Sequence, residues 1–144
     1  MLDFESAREK DYPAILAIWD NSVSATHNFL KKEDKAALRQ EIPHYFPMLT
    51  LFLWKWEGEL VGFTGHHEEN LEMFFLKPEF QGQGLGKQIL ARLIEEEGIR
   101  FVDVNKQNTA AYKFYEKSGF RLVSESKTDG EGRDYPILHL KREG

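Results

Sequence analysis

The sequence predicts an α/β chain built on one mixed sheet, an α+β arrangement in the order β-α-α-β-β-β-α-β-α-β-β. Three observations predict it. Short apolar or alternating runs bounded by turn residues recur along the chain, interrupted by segments of helical periodicity. A glycine-rich loop, Gln81–Gly86, joins an apolar run directly to a helical one. The span from Leu71 to Val104 then reads strand-helix-strand, which calls for a right-handed crossover and a parallel pair, while hairpins on either side supply antiparallel strands.

The elements follow in order. Met1–Arg8 alternates, with Leu2, Phe4 and Ser6 on one face, and reads as a strand. Asp11 is the expected N-cap of a helix that tolerates Pro13 in its first turn, buries Ile15, Ile18 and Trp19, and runs to about Ser24. Ala25–Leu30 breaks the periodicity and reads as a loop. Lys31–Phe46 aligns Leu38, Ile42 and Tyr45, and Pro43 kinks or shortens it. Leu49–Trp56 and Leu60–His66 are strands paired across a Glu57-Gly58 turn. Leu71–Leu76 is so apolar that both its faces must be covered, and Pro78 ends it because proline cannot donate to a ladder.

Beyond the glycine loop a helix begins near Leu85, with Ile89, Leu90, Leu93 and Ile94 on its apolar side and Gly98 as its stop. Glu95–Glu97 reads as its solvated end. Ile99–Val104 is a strand, Thr109–Ser118 a short helix with Ala111, Phe114 and Tyr115 inward, and Phe120–Ser126 and Tyr135–Lys141 the last two strands around a turn at Lys127–Gly132.

Composition narrows the function. At 144 residues, one domain spanning 1–144 with a single substantial core is expected. The 41 % apolar and 30 % charged fractions are those of a soluble globular protein. The chain contains no cysteine, which removes a disulfide framework, a thiolate nucleophile and a cysteine-based zinc site. That fits a reducing compartment. The start MLDFESAREK carries no apolar signal region, and the longest apolar run, Met48–Trp54, is far too short to span a bilayer; a cytoplasmic protein that engages no membrane is expected. A net charge of −5 argues against nucleic acid as a partner. His66-His67 beside Glu68-Glu69 does not have metal-ligand spacing, since adjacent strand residues face opposite ways; no metal is expected.

The loop Gln81–Gly86 carries glycines at 82, 84 and 86 and feeds a helix start. Glycine permits positive φ and close approach to the backbone. The first N–H groups of a helix lack intrahelical partners and sit at the positive end of its dipole, so such a junction suits an anion, phosphate above all. It is not a Walker loop, which needs four residues between its first glycine and Gly-Lys: here only three separate Gly82 from Gly86, and Gln88 follows Lys87. Nor does glycine at every second position match the GxGxxG dinucleotide fingerprint. A glycine-rich surface turn is the plain alternative.

Two motifs carry a resemblance. Gln81-Gly82-Gln83-Gly84-Leu85-Gly86, after a strand and a proline, resembles the acetyl-CoA pyrophosphate loop of the GNAT (GCN5-related) N-acetyltransferase superfamily. Asn108-Thr-Ala-Ala111-Tyr-Lys-Phe114-Tyr115-Glu-Lys-Ser-Gly119-Phe120, about 20 residues on, is similar to a second signature of that superfamily. The element order matches too, so the resemblance covers essentially the whole chain. Ala17-Ile18-Trp19, the segment from Ser22 through Thr26-His27 to Phe29-Leu30, Val104-Asn105 with Gln107-Asn108, and Tyr135-Pro136 with Leu138 add a likeness to the small bacterial YjaB-type subgroup.

The resemblance implies a GNAT acyl-CoA N-acyltransferase fold and an acetyl-CoA-dependent N-acetyltransferase, moving acetyl from the thioester of coenzyme A to a primary amine by direct attack in a ternary complex. It implies that Gln81, Gly82, Gln83, Gly84, Leu85, Gly86 and Lys87 hold the pyrophosphate and that Phe74, Phe75 and Leu76 offer backbone to the pantetheine arm. Asn108 resembles a cofactor-contacting asparagine, and is equally an N-cap. Tyr115 resembles the family's general acid, a phenol able to protonate the departing thiolate; its position on an apolar helical stripe suits a core residue as well.

A base for the attacking ammonium is sought among Glu72, Glu69, His66 and His67, with Glu72 foremost because it alternates away from Leu71 and Met73 beside the cofactor strand. Thr26, His27, Phe29 and Tyr135 are candidate acceptor contacts, with Trp54 and Trp56 further candidates. The acidic balance favours a cationic amine, small molecule or protein, as acceptor. The chain is expected to act as a monomer or homodimer. A non-catalytic acyl-CoA-binding regulatory module is the main alternative, and an ATP-binding domain a weaker one.

Overall fold

The computed structural model describes residues 1–26 and 30–143, and of 25 and 26 the backbone alone. Seven strands, β1 (Leu2–Ser6), β2 (Thr50–Trp56), β3 (Glu59–His67), β4 (Asn70–Leu76), β5 (Phe101–Asn105), β6 (Phe120–Ser126) and β7 (Ile137–Arg142), form one sheet in the order β1-β2-β3-β4-β5-β7-β6. The helices are α1 (Tyr12–Thr26), α2 (Lys32–Glu41), α3 (Leu85–Glu97) and α4 (Thr109–Lys117), in the expected order along the chain. Every strand pair is antiparallel except β4 with β5, as the strand-helix-strand reading requires. The last strand is inserted between β5 and β6, a permutation that hairpin spacing does not reveal.

Two cores cover the two faces. Ile89, Leu90 and Leu93 of α3 and Tyr115 of α4 pack on Trp54, Val61, Leu71, Val102, Val104 and Leu140. Ile15, Ile18, Trp19 and Val23 of α1 pack on Leu51, Leu53 and Phe63 from the other side. β4 serves both: Phe74 and Leu76 lie against the first core, Met73 and Phe75 against the second. That is why its sequence, Glu72 aside, shows no alternation.

Local chemistry explains the element ends. Glu57 and Gly58 both take positive φ in the β2–β3 turn. Gly98 closes α3 in the left-handed conformation, its N–H returning to the Leu93 carbonyl. Pro43 stops α2 short, and two single-turn 3-10 helices, Ile42–His44 and Phe46–Met48, complete what reads in sequence as one kinked helix. Asp11 is not the N-cap of α1. It closes a 3-10 turn over Glu9–Asp11, where its carboxylate accepts the Arg8 N–H at 2.8 Å, and α1 continues from it without a break. The helix also runs past Ser24 to Thr26.

The long β6–β7 connection is tied down onto α2. Tyr135 donates its hydroxyl to Asp34 Oδ2 at 2.5 Å and accepts the Lys31 N–H at 3.1 Å. Arg133 bonds Glu41 at 2.9 Å and lies within ion-pair distance of Asp34 and Asp129. Tyr45 donates to Glu131. Asp129 Oδ1 accepts the N–H groups of Glu131 and Arg133, which shapes the turn itself.

Candidate active site

The parallel pair at the middle of the sheet is barely a pair. β4 and β5 share only two rows, Asn70 with Phe101 and Leu71 with Val102, and then separate. From Glu72 onward the β5-facing edge of β4 has no strand neighbour, so its polar backbone lines a gap. The Lys77 N–H bonds the Val61 carbonyl at 2.8 Å, which fixes the alternation of the ladder: Phe75 turns its backbone toward β3, and Phe74 and Leu76 turn theirs toward the gap. The Leu76 carbonyl is already engaged, accepting from Ser22 Oγ at 2.6 Å and from Gln81 Nε2 at 3.2 Å. Among the described residues, Phe74 and the Leu76 N–H therefore supply the unengaged edge.

The glycine loop lies at the end of this gap. Pro78–Phe80 forms a 3-10 turn, and Gln81–Gly84 leads to α3. Gly82 has φ +75° and Gly84 φ +82°, yet nothing lies within 4 Å of where a Cβ would sit on either, so backbone conformation and not crowding requires glycine there. Gly86 has an ordinary φ, and a Cβ there would meet Leu76 Cδ1 at 3.6 Å and the Phe114 ring at 3.7 Å. The Gln83 side chain folds back, its Nε2 donating to the Glu79 carbonyl at 2.8 Å. Among the described residues the first N–H to return into this turn is that of Gln88, to Gly84 O at 3.3 Å; the N–H groups of 83–87 meet no chain acceptor. Lys87 is exposed beside them. This donor set fits a diphosphate.

α4 closes the other side. Asn108 caps it, its Oδ1 accepting the Ala111 N–H at 3.2 Å. Phe114 rests against Phe74 with ring centroids 6.1 Å apart. Tyr115 is buried between Phe114 and Phe120. Burial alone pushes its phenol well above the ordinary range, so the hydroxyl keeps its proton at any physiological pH.

Glu72 is the extra residue of a bulge. Gly65 pairs with Met73 and His66 with Leu71, which leaves Glu72 without an opposite number. Its carboxyl pKa is raised, first by desolvation and then by the neighbouring Asp103; His67 and a hydrogen bond with Asn70 oppose the shift. Beyond it Asp103 is held by two groups: Asn70 Nδ2 donates to Oδ2 at 3.3 Å, and His139 Nδ1 stands 2.7 Å from Oδ1. His139 Nε2 is in turn 2.7 Å from Ser126 Oγ.

Other candidates fall elsewhere. His66 is buried beneath the far end of α3, 3.2 Å from Glu97 Oε1, so Glu97 is half-buried and not a solvated terminus. His67 and Glu69 are exposed outside the gap. Trp54 is an interior residue, 1 % exposed, its Nε1 donating to Thr64 Oγ1 at 2.9 Å, and Trp56, half-buried, packs on the same core. Tyr135 is buried with its hydroxyl committed to Asp34 and Lys31. Thr26 ends α1, while His27 and Phe29 lie outside the described residues. Sequence reasoning missed Asp103 and His139, and it had Ser22 only in the segment that carries the subgroup likeness, not against the Leu76 carbonyl. Asp103 had a signal, alternating away from Val102 and Val104 in a strand already identified; the other two matter only through contacts distant in sequence.

A parallel pair that parts beside an amide-lined helix start offers a strand edge and a set of N–H donors to one elongated, diphosphate-bearing ligand. The chain belongs to the GNAT family of acetyltransferases: a family model described as an acetyltransferase (GNAT) domain matches residues 16–135. The peptidyl-lysine N-acetyltransferase YjaB of Salmonella typhimurium is 33 % identical over 141 residues, 97 % of each chain. A spermine/spermidine N(1)-acetyltransferase of Bacillus subtilis is 29 % identical over 106 residues, covering 61 % of this chain and 68 % of its own. The solution structure of apo YjaB from Escherichia coli superposes with a TM-score of 0.90 at 29 % identity, covering 100 % of this chain and 99 % of that one. The chain is an N-acetyltransferase that uses acetyl-CoA, and its acceptor is an amine. Among the described residues no helix is long and apolar enough to cross a membrane.

Proposed function

We propose that this acetyltransferase modifies the side-chain amine of protein lysines, in the cytoplasm, by direct transfer in a ternary complex. The observation that carries the mechanism is the gap between β4 and β5, with Glu72 on its bulge and Tyr115 on the helix beside it. The lysine assignment draws on the relative named a peptidyl-lysine N-acetyltransferase, which aligns with nearly the whole chain. The compartment draws on the absence of cysteine.

Acetyl-CoA supplies an activated acyl group in this reading. The N–H groups of 83–87 hold its diphosphate, and the backbone of Phe74 and Leu76 orients its amide-bearing arm as an added strand would. Glu72 takes a proton from the incoming ammonium, directly or through one water, for which a carboxyl with a raised pKa is suited. Tyr115 Oη, protonated at any physiological pH, gives its proton to the departing sulfur. With no cysteine in the chain, a thiol acyl-enzyme has no place in the route.

The test is a competition between acceptors. Lysine-containing peptides blocked at their N-termini are incubated with acetyl-CoA beside spermidine, and CoA release is measured with acetylation sites mapped by mass spectrometry. Turnover on lysine Nζ is expected. Turnover on spermidine with no peptide modified would replace the protein acceptor by a polyamine; acetyl-CoA binding with no turnover on any amine would return the chain to the regulatory-module reading.

A further inference from the structure

The parallel ladder ends one row short of a pair of carboxylates. Asn70 stands opposite Phe101 and Leu71 opposite Val102, and that register would set Glu72 opposite Asp103 in the next row, where β4 and β5 have parted. Val102 and Val104 are buried in the first core, so Asp103 between them takes the other face of the sheet. His139 does likewise between the buried Leu138 and Leu140, directly opposite Asp103 in the antiparallel β5–β7 pair. A run of side-chain contacts crosses this face from β4 to β6. Asn70 Nδ2 donates to Asp103 Oδ2 at 3.3 Å, His139 Nδ1 stands 2.7 Å from Asp103 Oδ1, and Ser126 Oγ stands 2.7 Å from His139 Nε2. Asn70, Asp103 and His139 border a hollow of about 290 Å³.

Both ring nitrogens of His139 have partners, and the partners suit either charge state. A serine hydroxyl donates or accepts as required, so Ser126 serves Nε2 whether the ring is neutral or protonated. Desolvation first and Asp103 second hold the Glu72 carboxyl above its ordinary range, with His67 and Asn70 opposing them. The row of Arg121 and Lys141 shares the His139 face, with Lys141 leaning over the Phe101 ring. Neighbouring carboxylates disfavour each other's ionisation, and an imidazolium on the far oxygen of one relieves the other.

We propose that Asp103 and His139 are positioning residues that set the charge state of Glu72: Asp103 fixes a second negative charge beside it, and His139 holds that charge in place and offsets it once the ring is protonated. The catalytic meaning rests on Glu72 being the base of the transfer; the electrostatic link between the three residues does not. In the acid range where a carboxyl titrates, an imidazole carries its proton. His139 then keeps Glu72 ionised to lower pH than Asp103 alone would allow.

Carbon-13-labelled protein is titrated with acid while the side-chain carboxyl resonance of Glu72, assigned by its loss in Glu72→Gln, is followed alongside the pH profile of kcat. Asp103→Asn keeps the shape and removes the charge, and is expected to move the Glu72 midpoint to lower pH. His139→Gln is expected to move it to higher pH. The double variant is expected to lie close to Asp103→Asn, because His139 acts through Asp103. The acid limb of kcat is expected to move with the midpoint each time. If either single substitution leaves the midpoint in place or moves it the other way, the proposal is overturned, even where stability is lost, since a merely structural pair would do that much. A midpoint that moves as expected while the kcat limb stays still upholds the link and removes Glu72 as the base. Should Asp103→Asn fold poorly, the direction of the His139→Gln shift decides alone.

Discussion

Ser22 Oγ lies 2.6 Å from the Leu76 carbonyl oxygen, and this contact joins α1 to the end of the strand that borders the cofactor gap. Ser22 is 1 % exposed, on a helix face otherwise made of Ile15, Ile18, Trp19 and Val23. A hydroxyl there is tolerated because it has an acceptor. The contact also removes one carbonyl from the edge of β4, at the place where that strand gives way to the glycine loop.

Ser22→Ala should therefore act on both stability and binding. Losing the bond costs about 1 kcal/mol, the usual value for one hydrogen bond, because Gln81 still partly satisfies the carbonyl. The Leu76–Gln81 corner is no longer held from the α1 side, so KM for acetyl-CoA should rise while kcat changes little. Denaturant unfolding and steady-state kinetics measure the two effects; an unchanged KM alongside the stability loss would confine Ser22 to the core.

Gly84 precedes the first residue of α3 with φ +82° and open space where a Cβ would point. Gly84→Ala should cost about 1–2 kcal/mol for the left-handed conformation alone. If the chain avoids that cost by turning the peptide, the amides of 83–87 no longer converge and acetyl-CoA affinity drops. Gly86→Ala is the control, since its neighbours allow a methyl at ordinary contact distance. Calorimetric titration of both variants should rank Gly84→Ala as much the worse binder.

Much of this was legible in the sequence. The loop, the helix start and the Asn108 cap are written in consecutive residues, because local backbone chemistry dictates them. The double coverage of β4 followed from its almost wholly apolar run. What could not be read are features that depend on which strand lies beside which. The β5-β7-β6 order decides that Asp103 meets His139, 36 residues away. The bulge at Glu72 is a mismatch between two strands and has no signature in either alone. Trp54 and Tyr135 stood among the candidate acceptor contacts, but the first is taken by the core and the second by a latch onto α2.

Glu72 gives the pH dependence. Its carboxyl pKa is raised by desolvation and by Asp103, against the opposing influence of His67 and Asn70. A base is useful only when ionised, so the acid limb of kcat should fall at a higher pH than for an ordinary carboxylate. Glu72→Gln should lower kcat by about a hundredfold and flatten that limb. Stability moves in the opposite sense. A carboxyl whose pKa is higher in the folded state contributes most below its unfolded pKa and loses that contribution as pH rises through the folded value. Relative to the parent, Glu72→Gln should gain stability across that window. A variant with the same acid limb as the parent would move the base to another group.

Tyr115 completes the chemistry. Tyr115→Phe keeps the ring that packs on Phe114 and Phe120 and removes only the hydroxyl, so the fold should survive. If Oη protonates the leaving sulfur, kcat should fall by about two orders of magnitude while acetyl-CoA affinity stays within about twofold, because the diphosphate is held elsewhere. The loss should shrink for an acyl donor whose thiol is more acidic, since such a sulfur departs without help. An equal loss with both donors, or no loss with either, would leave Tyr115 as a wall of the gap and nothing more.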